Sequence, residues 1–415
     1  MNFLFIHQNF PGQFCHLSSE LAEQGHQVIA LGINQADPNK PLSDKVKHIR
    51  YKLTKGTTKG IHHLASEVET KVIRGEAVAN ACAQLKEKGF TPDLIYGHPG
   101  WGELLFIKTV YPDVPVVCFQ EYFYNEEGYD ANFDMEFATV RDWQVKSQMI
   151  MKNAYLYLTL EQSDWNVSPT HFQAGTYPDK WKHKFSIIHD GVNEKVAKPS
   201  KENISIKLKD GTTLTRKNKI ITFINRRLEP YRGFHTFVRS IPHIQRQNPD
   251  AHIVIIGGDK GTSYGAPCPK GEWKEQFLKD IKGQYDPSLV HFTNTITHDT
   301  FIKFMQITSC HVYLTYPFVL SWSLLEAMAC EAPIVGSNTA PVEEVIKNGS
   351  NGMIVDFFSP TDIADTVTEM IKNKPMAAAF GKNARQTILD KYTLDECLNK
   401  QLNLIKMLIG GNIPF

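Results

Sequence analysis

Short apolar runs alternate along the chain with longer segments in which apolar residues recur every three or four positions. In the first half, five apolar runs predict buried strands, at 2–7, 27–31, 93–97, 115–119 and 155–159. Helical periodicity lies between them, at 13–25, 61–88, 101–110 and 137–152. Strands that are apolar throughout are typical of a parallel sheet covered on both faces. The alternation therefore predicts parallel strands joined by crossover helices.

The same alternation restarts in the second half of the chain. It predicts strands at 219–224, 252–257, 289–293, 311–315, 333–337 and 352–356. It predicts helices at 233–247, 298–307, 322–330, 341–347 and 360–372. The polar, lysine-rich stretch between the halves contains Asp210-Gly211, a dipeptide that predicts a hairpin turn.

These elements predict an α/β protein with two facing, Rossmann-like, doubly wound parallel-sheet domains. The first covers 1–195, a linker with a hairpin covers 196–218, the second covers 219–375, and helices in 376–415 return to the first domain. Two such domains that face each other place the carboxyl ends of their strands, and so the ligand, in the cleft between them.

Composition narrows the class of protein. Lys and Arg number 45 against 44 Asp and Glu, a net charge of +1, which argues against a nucleic-acid partner. The seven cysteines are scattered without a C-x-x-C pair, which indicates reduced thiols and a cytoplasmic location. No run approaches the ~18–20 apolar residues of a membrane span, so peripheral association with the inner face of the membrane is the membrane role left open.

Three arginines follow the predicted strand 219–224. Arg226, Arg227 and Arg232 fall within seven residues, directly before Gly233 and an amphipathic helix. Guanidinium groups bind phosphate oxygens in pairs and keep their charge, so a cluster at a strand end predicts a diphosphate site. The alternative is a solvated basic loop in which Glu229 is the internal partner of the arginines.

The predicted helix near Ser321, Trp322 and Ser323 adds a second anion-binding feature. Free N–H groups at its start, which follows strand 311–315, are expected to point at a phosphate. Glu326 lies in this otherwise apolar helix, where an unpartnered carboxylate is costly. A ribose diol is the expected partner, because a carboxylate that faced the phosphate would be repelled by it.

Two positions of the first half also lie at strand ends. His98 follows strand 93–97, a placement that favours a ligand contact over the alternative of a surface or capping histidine. Gly12 follows strand 2–7, where a backbone can approach a phosphate, and a simple tight turn is the alternative. No G-x-G-x-x-G follows a strand, which counts against a nicotinamide dehydrogenase.

Nearly the whole chain resembles the family 4 retaining glycosyltransferases, which have the GT-B fold. The segment RLEPYRGFHTF resembles the family motif R-L-x-P-x-K-G, with Arg232 at the lysine position. The segment SLLEAMACEAPIVGSN resembles L-x-E-A-M-A-x-G-x-P-V-V. SPTHFQAGTYP and IIHDGVN resemble the end of the family's first domain.

The resemblance implies a role for each matching residue. His98 corresponds to a histidine on the donor sugar, and Glu326 to the acid that binds the nucleotide ribose. Arg227 and Arg232 correspond to the cationic pair on the diphosphate, and Arg226 replaces Arg227 if the loop register shifts by one residue. The other residues expected in donor binding are Gly12, Thr295, Ile296, Phe318, Leu320, Ser321, Trp322 and Ser323, and the resemblance implies that Thr295 and Ile296 lie at the base.

One departure from the family pattern bears on mechanism. Phe318 stands where the family has the first Glu of its Glu, seven residues, Glu motif, so no side-chain nucleophile exists at this position. Ser321 and Glu331 stand where the family has glycines. Same-face substitution, in which the leaving phosphate takes the proton of the acceptor, is therefore the expected route.

The resulting prediction is a retaining glycosyltransferase that uses a UDP- or GDP-type sugar donor. Its acceptor is expected to be a glycan, a lipid-linked sugar or a protein, bound near Glu121, Tyr122 and Tyr124 of an aromatic and acidic segment. A packed loop is the alternative for that segment. No cofactor and no metal are expected, because arginines neutralise the diphosphate. The alternatives are a sugar-nucleotide epimerase of the same fold and a degenerate subunit that only binds a nucleotide sugar.

Overall fold

The fold consists of two units, each built around a parallel sheet. The structure is a computed structural model that describes residues 1–35, 42–138 and 143–410. The first unit comprises Met1–Asp190 and the chain from Asp395 onward, and the second comprises Gly191–Leu394. The prediction of a two-domain α/β fold with doubly wound sheets is confirmed.

The first unit has a seven-stranded parallel sheet in the order β3-β2-β1-β4-β5-β6-β7. Its strands are β1 (Asn2–Ile6), β2 (Gln27–Gly32), β3 (Lys47–Arg50), β4 (Leu94–Gly97), β5 (Val116–Phe119), β6 (Trp165–Ser168) and β7 (Phe185–Ile187). Its helices are α1 (Cys15–Glu23), α2 (His63–Glu87), α3 (Ile107–Val110), α4 (Trp143–Gln162) and α5 (His171–Gly175), with the last helix of the chain.

Both faces of this sheet are buried, as its apolar strands predict. Phe3 and Phe5 of β1 belong to one core cluster and the alternate residues Leu4 and Ile6 belong to another. Successive side chains of a strand point to opposite faces, so each apolar run supplies residues to two cores at once.

The strand predicted at 155–159 is wrong, because these residues belong to α4. Tyr155, Leu156 and Thr159 are buried whereas Tyr157 and Leu158 are exposed, a pattern with the period of a helix. The strand beside β5 is instead β6. Residues 139–142, near the start of the helix predicted at 137–152, lie outside the described residues.

The second unit has a six-stranded parallel sheet in the order β12-β11-β10-β13-β14-β15 and a two-stranded hairpin. The hairpin strands are β8 (Ser205–Lys207) and β9 (Thr213–Thr215). The sheet strands are β10 (Ile220–Arg227), β11 (His252–Gly258), β12 (Val290–Asn294), β13 (Cys310–Tyr313), β14 (Ile334–Ser337) and β15 (Met353–Val355). Its helices are α6 (Phe234–Gln247), α7 (Trp273–Asp280), α8 (His298–Ile307), α9 (Trp322–Ala329), α10 (Ala340–Val345), α11 (Pro360–Lys372) and α12 (Lys374–Lys391).

The C-terminal helices divide between the two units, unlike the sequence-based division at 376. Helix α12 stays in the second unit, where Ala384 and Ile388 join the core and Gly381 lies against the carbonyl oxygen of Glu331, 2.3 Å from where a Cβ would be. Only α13 (Leu394–Ile409) returns to the first unit. Its side chains in that unit's core are Leu402, Leu404, Ile405 and Leu408.

Among the described residues, no helix combines the length and the apolar character that crossing a bilayer requires.

The packing of α13 predicts a large effect of truncating one of its buried side chains. Leu404→Ala is expected to lower the free energy of unfolding by about 2–5 kcal/mol, because it leaves a cavity in the first unit's core. Met407→Ala is the matched control, because Met407 is 40% exposed whereas Leu404 is 2% exposed. Urea unfolding followed by tryptophan fluorescence measures both, with Trp165 in the same core as a probe. Equal effects of the two substitutions would contradict this packing.

Candidate donor-binding site

Arg226 and Arg227 end β10 at the carboxyl edge of the second sheet. The pairing of β10 with β11 shifts register between Ile224 and Arg227, and both arginines are exposed. The Arg227 guanidinium lies over Gly258 at the end of β11, where a Cβ would be 2.4 Å from Nη1. The glycine therefore makes room for Arg227, which lies at the sheet edge as its strand-end position predicts.

Arg232 is a buried cation. The residue is only 5% exposed. Its Nη1 donates to Thr315 Oγ1 at 2.6 Å and to the Val319 carbonyl oxygen at 2.9 Å. Burial by itself lowers the pKa of Arg232, but the surrounding Tyr313 and Tyr264 hydroxyls more than offset it and raise that pKa above its ordinary value. The guanidinium is thus held in one position with its charge retained.

An aromatic cluster of Tyr231, Tyr264, Tyr316 and Phe318 surrounds this guanidinium. The Tyr264 ring centroid is 4.9 Å and the Phe318 centroid 5.9 Å from Arg232 Cζ. Phe318 makes edge contacts with Tyr231 and Tyr264 at 5.2 Å, and Tyr231 packs on Tyr316 at 4.7 Å. Phe318 is therefore buried among rings, and cation–π contacts take the place of a carboxylate beside Arg232.

The hydrogen bonds of Glu229 go to a neighbouring loop, and not to the arginines as the alternative of a solvated basic loop held. Its buried carboxylate accepts backbone N–H groups from Ser263 at 3.0 Å, Tyr264 at 3.3 Å and Gly265 at 3.0 Å. These bonds hold the loop that places the Tyr264 ring on Arg232. A solvated basic loop does not describe this segment, since Arg232 and Glu229 are both buried.

The start of α9 is capped more fully than expected. Ser321 Oγ accepts the N–H of Ser323 at 3.3 Å, and the N–H of Ser321 donates to Tyr313 Oη at 2.9 Å. The expectation of free N–H groups at 321 and 323 therefore differs from the structure, because a serine at the N-cap and a tyrosine hydroxyl satisfy them. Trp322 is exposed, and the side chain of Leu320 packs in the apolar core of the second unit.

Glu326 is paired with a histidine that the sequence analysis did not select. His298 Nε2 lies 2.6 Å from Glu326 Oε1, and the side chains are 57% and 22% exposed. The hydrogen bond to Glu326 raises the pKa of His298, although partial burial acts in the opposite direction. The two residues are 28 positions apart, on neighbouring helices α8 and α9. The sequence carries one indication of this pairing: His298 is predicted at the start of a helix, where a positive charge is unfavourable unless an anion lies nearby.

The segment before His298 carries the two residues implied at the base. Thr295 is exposed, and Ile296 is half-buried with its side chain packed against the second unit's core. Asn294 precedes them with a left-handed φ of 55°, a conformation that asparagine tolerates. The backbone therefore turns at the carboxyl end of β12 directly before α8.

In the first unit, His98 is buried at the end of β4. Its Nδ1 accepts the N–H of Gly100 at 3.0 Å, so the proton of a neutral ring is assigned to Nε2. Nε2 lies 3.5 Å from Glu121 Oε2, and the ring packs on Trp101 at 4.6 Å. His98 thus caps the following turn, as one alternative held, and its buried Nε2 lies near Glu121 without a hydrogen bond within the described residues.

Gly12 lies against the imidazole of His7. Its φ is +50°, and a Cβ would be 2.5 Å from the His7 ring, so the position requires glycine. The close approach is to this ring, which supports the tight-turn alternative. The next residue, Gln13, donates from Nε2 to Glu121 Oε1 at 3.1 Å. His98, Gln13 and Glu121 therefore meet at the carboxyl edge of the first sheet.

Tyr122 and Tyr124 are packed in the loop that follows β5. Tyr122 is buried and its hydroxyl donates to Asp130 Oδ1 at 2.7 Å. The Lys152 ammonium lies 3.5 Å from the Tyr124 ring centroid. The packed-loop alternative describes these two tyrosines, whereas Glu121 faces His98.

The role of Glu229 predicts a specific loss of order in the loop it holds. Glu229→Gln replaces one acceptor oxygen with an NH₂ group that opposes the backbone donors, so the amides of Ser263, Tyr264 and Gly265 should exchange about tenfold faster or more. Hydrogen–deuterium exchange of a peptide that covers 259–272 measures the change. Glu272→Gln is the control, since its carboxylate accepts only the N–H of Gly261 in this loop, at an exposed site. Unchanged protection in Glu229→Gln would show that other contacts hold the loop.

Two sequence families together match most of the chain. Residues 24–197 match the family described as Glycosyl transferase family 4 group, and residues 206–387 match Glycosyl transferases group 1. An uncharacterized glycosyltransferase of Methanocaldococcus jannaschii is 24% identical over 195 residues, which cover 47% of each chain. The chain spans about half or less of the length of the curated relatives it matches.

Solved structures share the fold over nearly the full chain. Sucrose-phosphate synthase of Thermosynechococcus elongatus superposes with a TM-score of 0.73 at 17% identity, over 99% of this chain and 100% of that one. HepE of Anabaena, in complex with UDP, superposes with a TM-score of 0.66 at 13% identity, over 98% and 100%. At these identities the likeness concerns the fold alone. The sequence matches and the two-sheet architecture together show that the chain belongs to the family 4 glycosyltransferases and has their GT-B fold.

Proposed function

We propose that this protein transfers a sugar from a nucleotide diphosphate-sugar donor, of the UDP or GDP type, to a glycan, lipid-linked or protein acceptor with retention at the anomeric carbon. The observation that carries the proposal is the pair of arginines at the carboxyl edge of β10, one exposed and one buried. Family membership supports it, and the UDP in the Anabaena structure is consistent with a uridine nucleotide.

The two arginines suit the departure of a nucleoside diphosphate. Negative charge grows on the phosphate oxygen as its bond to the anomeric carbon breaks, and a prearranged cation stabilises that charge without moving. Such groups typically contribute about 3–4 kcal/mol each to a transition state. Arg232 is prearranged by Thr315 and Val319, and Arg227 by its position over Gly258. These charges offset the diphosphate, so the proposal includes no resident metal or cofactor.

Phe318 favours same-face substitution within this proposal. The residue is buried among rings and carries no group that could attack the anomeric carbon. The acceptor hydroxyl oxygen forms the new bond to that carbon, the bond to the diphosphate breaks, and the acceptor proton passes to the leaving phosphate oxygen. The atoms and charges of this step balance without an enzyme nucleophile.

The role of His98 in the first unit rests on the family resemblance, and that of Glu121 on its position beside His98 after β5. His98 would donate its Nε2–H to a hydroxyl of the donor sugar, since Gly100 occupies Nδ1. Glu121, 3.5 Å from His98, would accept from a sugar hydroxyl.

A subunit that binds a nucleotide sugar without turnover is the second candidate. The buried Phe318 in place of an acid favours it, and the same substitution removes a carboxylate that an epimerase would use. Slow release of nucleoside diphosphate from a donor in the absence of acceptor would support the transferase. Binding without any such release, with or without acceptors, would support the subunit.

The adjacent arginines provide a matched test of the diphosphate site. A thermal-shift screen of nucleotide sugars first identifies the donor, because a ligand that binds the folded state raises the melting temperature. Arg227→Ala should then lower the rate of donor hydrolysis about a hundredfold or more, whereas Arg226→Ala should change it by less than about threefold. Both side chains are exposed, so both variants should fold.

Measurement of kcat and KM for nucleotide release separates the outcomes. A large loss of kcat in Arg226→Ala, together with little change in Arg227→Ala, would assign the diphosphate contact to Arg226 instead. Near-normal turnover in both variants would contradict the proposed site.

A further inference from the structure

The pair formed by His298 and Glu326 is unusual for its position. His298 is the first residue of α8, directly after the N-cap Thr297, so its ring lies at the positive end of a helix dipole. A cation at this end is disfavoured unless an anion compensates it. Glu326 provides that anion at 2.6 Å, a distance typical of a strong charge-assisted hydrogen bond.

This bond changes what Glu326 can offer to a ligand. A lone carboxylate can accept hydrogen bonds from two neighbouring hydroxyls, one on each oxygen. Here Oε1 is engaged by His298, which leaves Oε2 for one hydroxyl. In the described part of the chain, the structure gives no hydrogen-bond partner to His298 Nδ1, and the side chain is 57% exposed.

The pair also changes the local charge. Without a charged partner, Glu326 contributes one negative charge at this position. A protonated His298 makes the pair neutral and leaves an N–H at Nδ1 that can donate to a hydroxyl oxygen. The N–H at Nδ1 favours binding of the nucleotide through its ribose when His298 is protonated.

We propose that His298 is a specificity-determining residue for the nucleoside part of the donor, and that it reads the ribose diol jointly with Glu326. Glu326 Oε2 accepts from one ribose hydroxyl and His298 Nδ1 donates to the other. This inference rests on the proposed function, because it assigns a second residue to the ribose of the nucleotide.

The groups around His298 set the sign of the pH dependence. Glu326 and Asp299 are the anions that face it, Lys303 pairs with Asp299 at 2.7 Å, and Phe301 contacts the ring at 5.9 Å. The contribution of His298 to binding is therefore present at low pH and is lost as the pH rises through the raised pKa of its imidazole.

The test is isothermal titration of the full chain with UDP and with GDP between about pH 6 and 8.5. His298→Asn should bind the nucleotide that the wild type prefers about tenfold more weakly than the wild type does at pH 6. The ratio of the dissociation constant of the variant to that of the wild type should approach one as the pH rises. The ratio at each pH cancels the ionisation of the nucleotide itself. His243→Asn, at another partly exposed histidine of the same unit, is the control and should leave the dissociation constant unchanged.

Deoxynucleotides and inorganic pyrophosphate separate ribose recognition from anion binding. In the wild type, the 2′- or 3′-deoxy nucleotide that lacks the hydroxyl contacted by His298 should bind about tenfold more weakly than the parent, and in His298→Asn that difference should disappear. Pyrophosphate, which has no ribose, should bind the two proteins within about threefold of each other. Circular dichroism checks that His298→Asn is folded.

Three results would overturn the inference. His298→Asn that binds nucleotides as tightly as the wild type at every pH would remove His298 from the ribose site. Tighter binding by the variant would show that His298 competes with the ribose for Glu326. Binding of neither UDP, GDP nor pyrophosphate by the wild type would instead overturn the proposed function, and this inference with it.

Discussion

A buried guanidinium, that of Arg232, is the constraint around which the site of the second unit is built. Removing a charge from water is costly unless hydrogen bonds and opposite or polarisable partners replace the solvent. The chain supplies the Thr315 hydroxyl, the Val319 carbonyl and the ring of Tyr264 for this purpose. Two of these partners come from the segment between β13 and α9, and the third from the loop after β11, so one cation ties distant segments together.

Glu229 is the second element of this arrangement. Its carboxylate is buried three residues before Arg232 and neutralises part of its field, yet its hydrogen bonds go to the backbone of the Tyr264 loop. The acid therefore stabilises the cation directly through its charge and also indirectly, through the Tyr264 ring that it helps to position. Phe318 belongs to the same aromatic environment. A carboxylate at this position would have to be buried among the rings of Tyr231 and Tyr264.

The sheets were largely predictable because their strands are buried on both faces. Runs such as 219–224 and 252–257 have few polar residues, and no other element of that length suits them. The helical segment 155–159 resembles a buried strand in sequence, because Tyr-Leu-Tyr-Leu contains no charged residue to reveal which side is exposed. Strand β6, by contrast, is short and contains Asn166, so no apolar run marked it.

The candidate site was predictable only where position along a strand decides it. Arg227 and His98 lie at carboxyl ends of strands, and the rule for parallel sheets places such residues at one edge. The pairing of Glu326 with His298 depends instead on how two helices pack. The capping of α9 depends on the rotamer of Ser321 and on a hydroxyl from β13. The spacing of residues along a sequence does not reveal contacts between side chains of different helices or strands, such as these.

The return of α13 to the first unit has a consequence for how the protein is made. Leu402, Leu404, Ile405 and Leu408 fill a core whose other members, such as Phe3 and Val28, are near the start of the chain. A ribosome releases these segments in order, so the first sheet emerges long before the helix that covers it. The second unit can fold from a continuous stretch during translation, whereas the first keeps an apolar face open until α13 is synthesised.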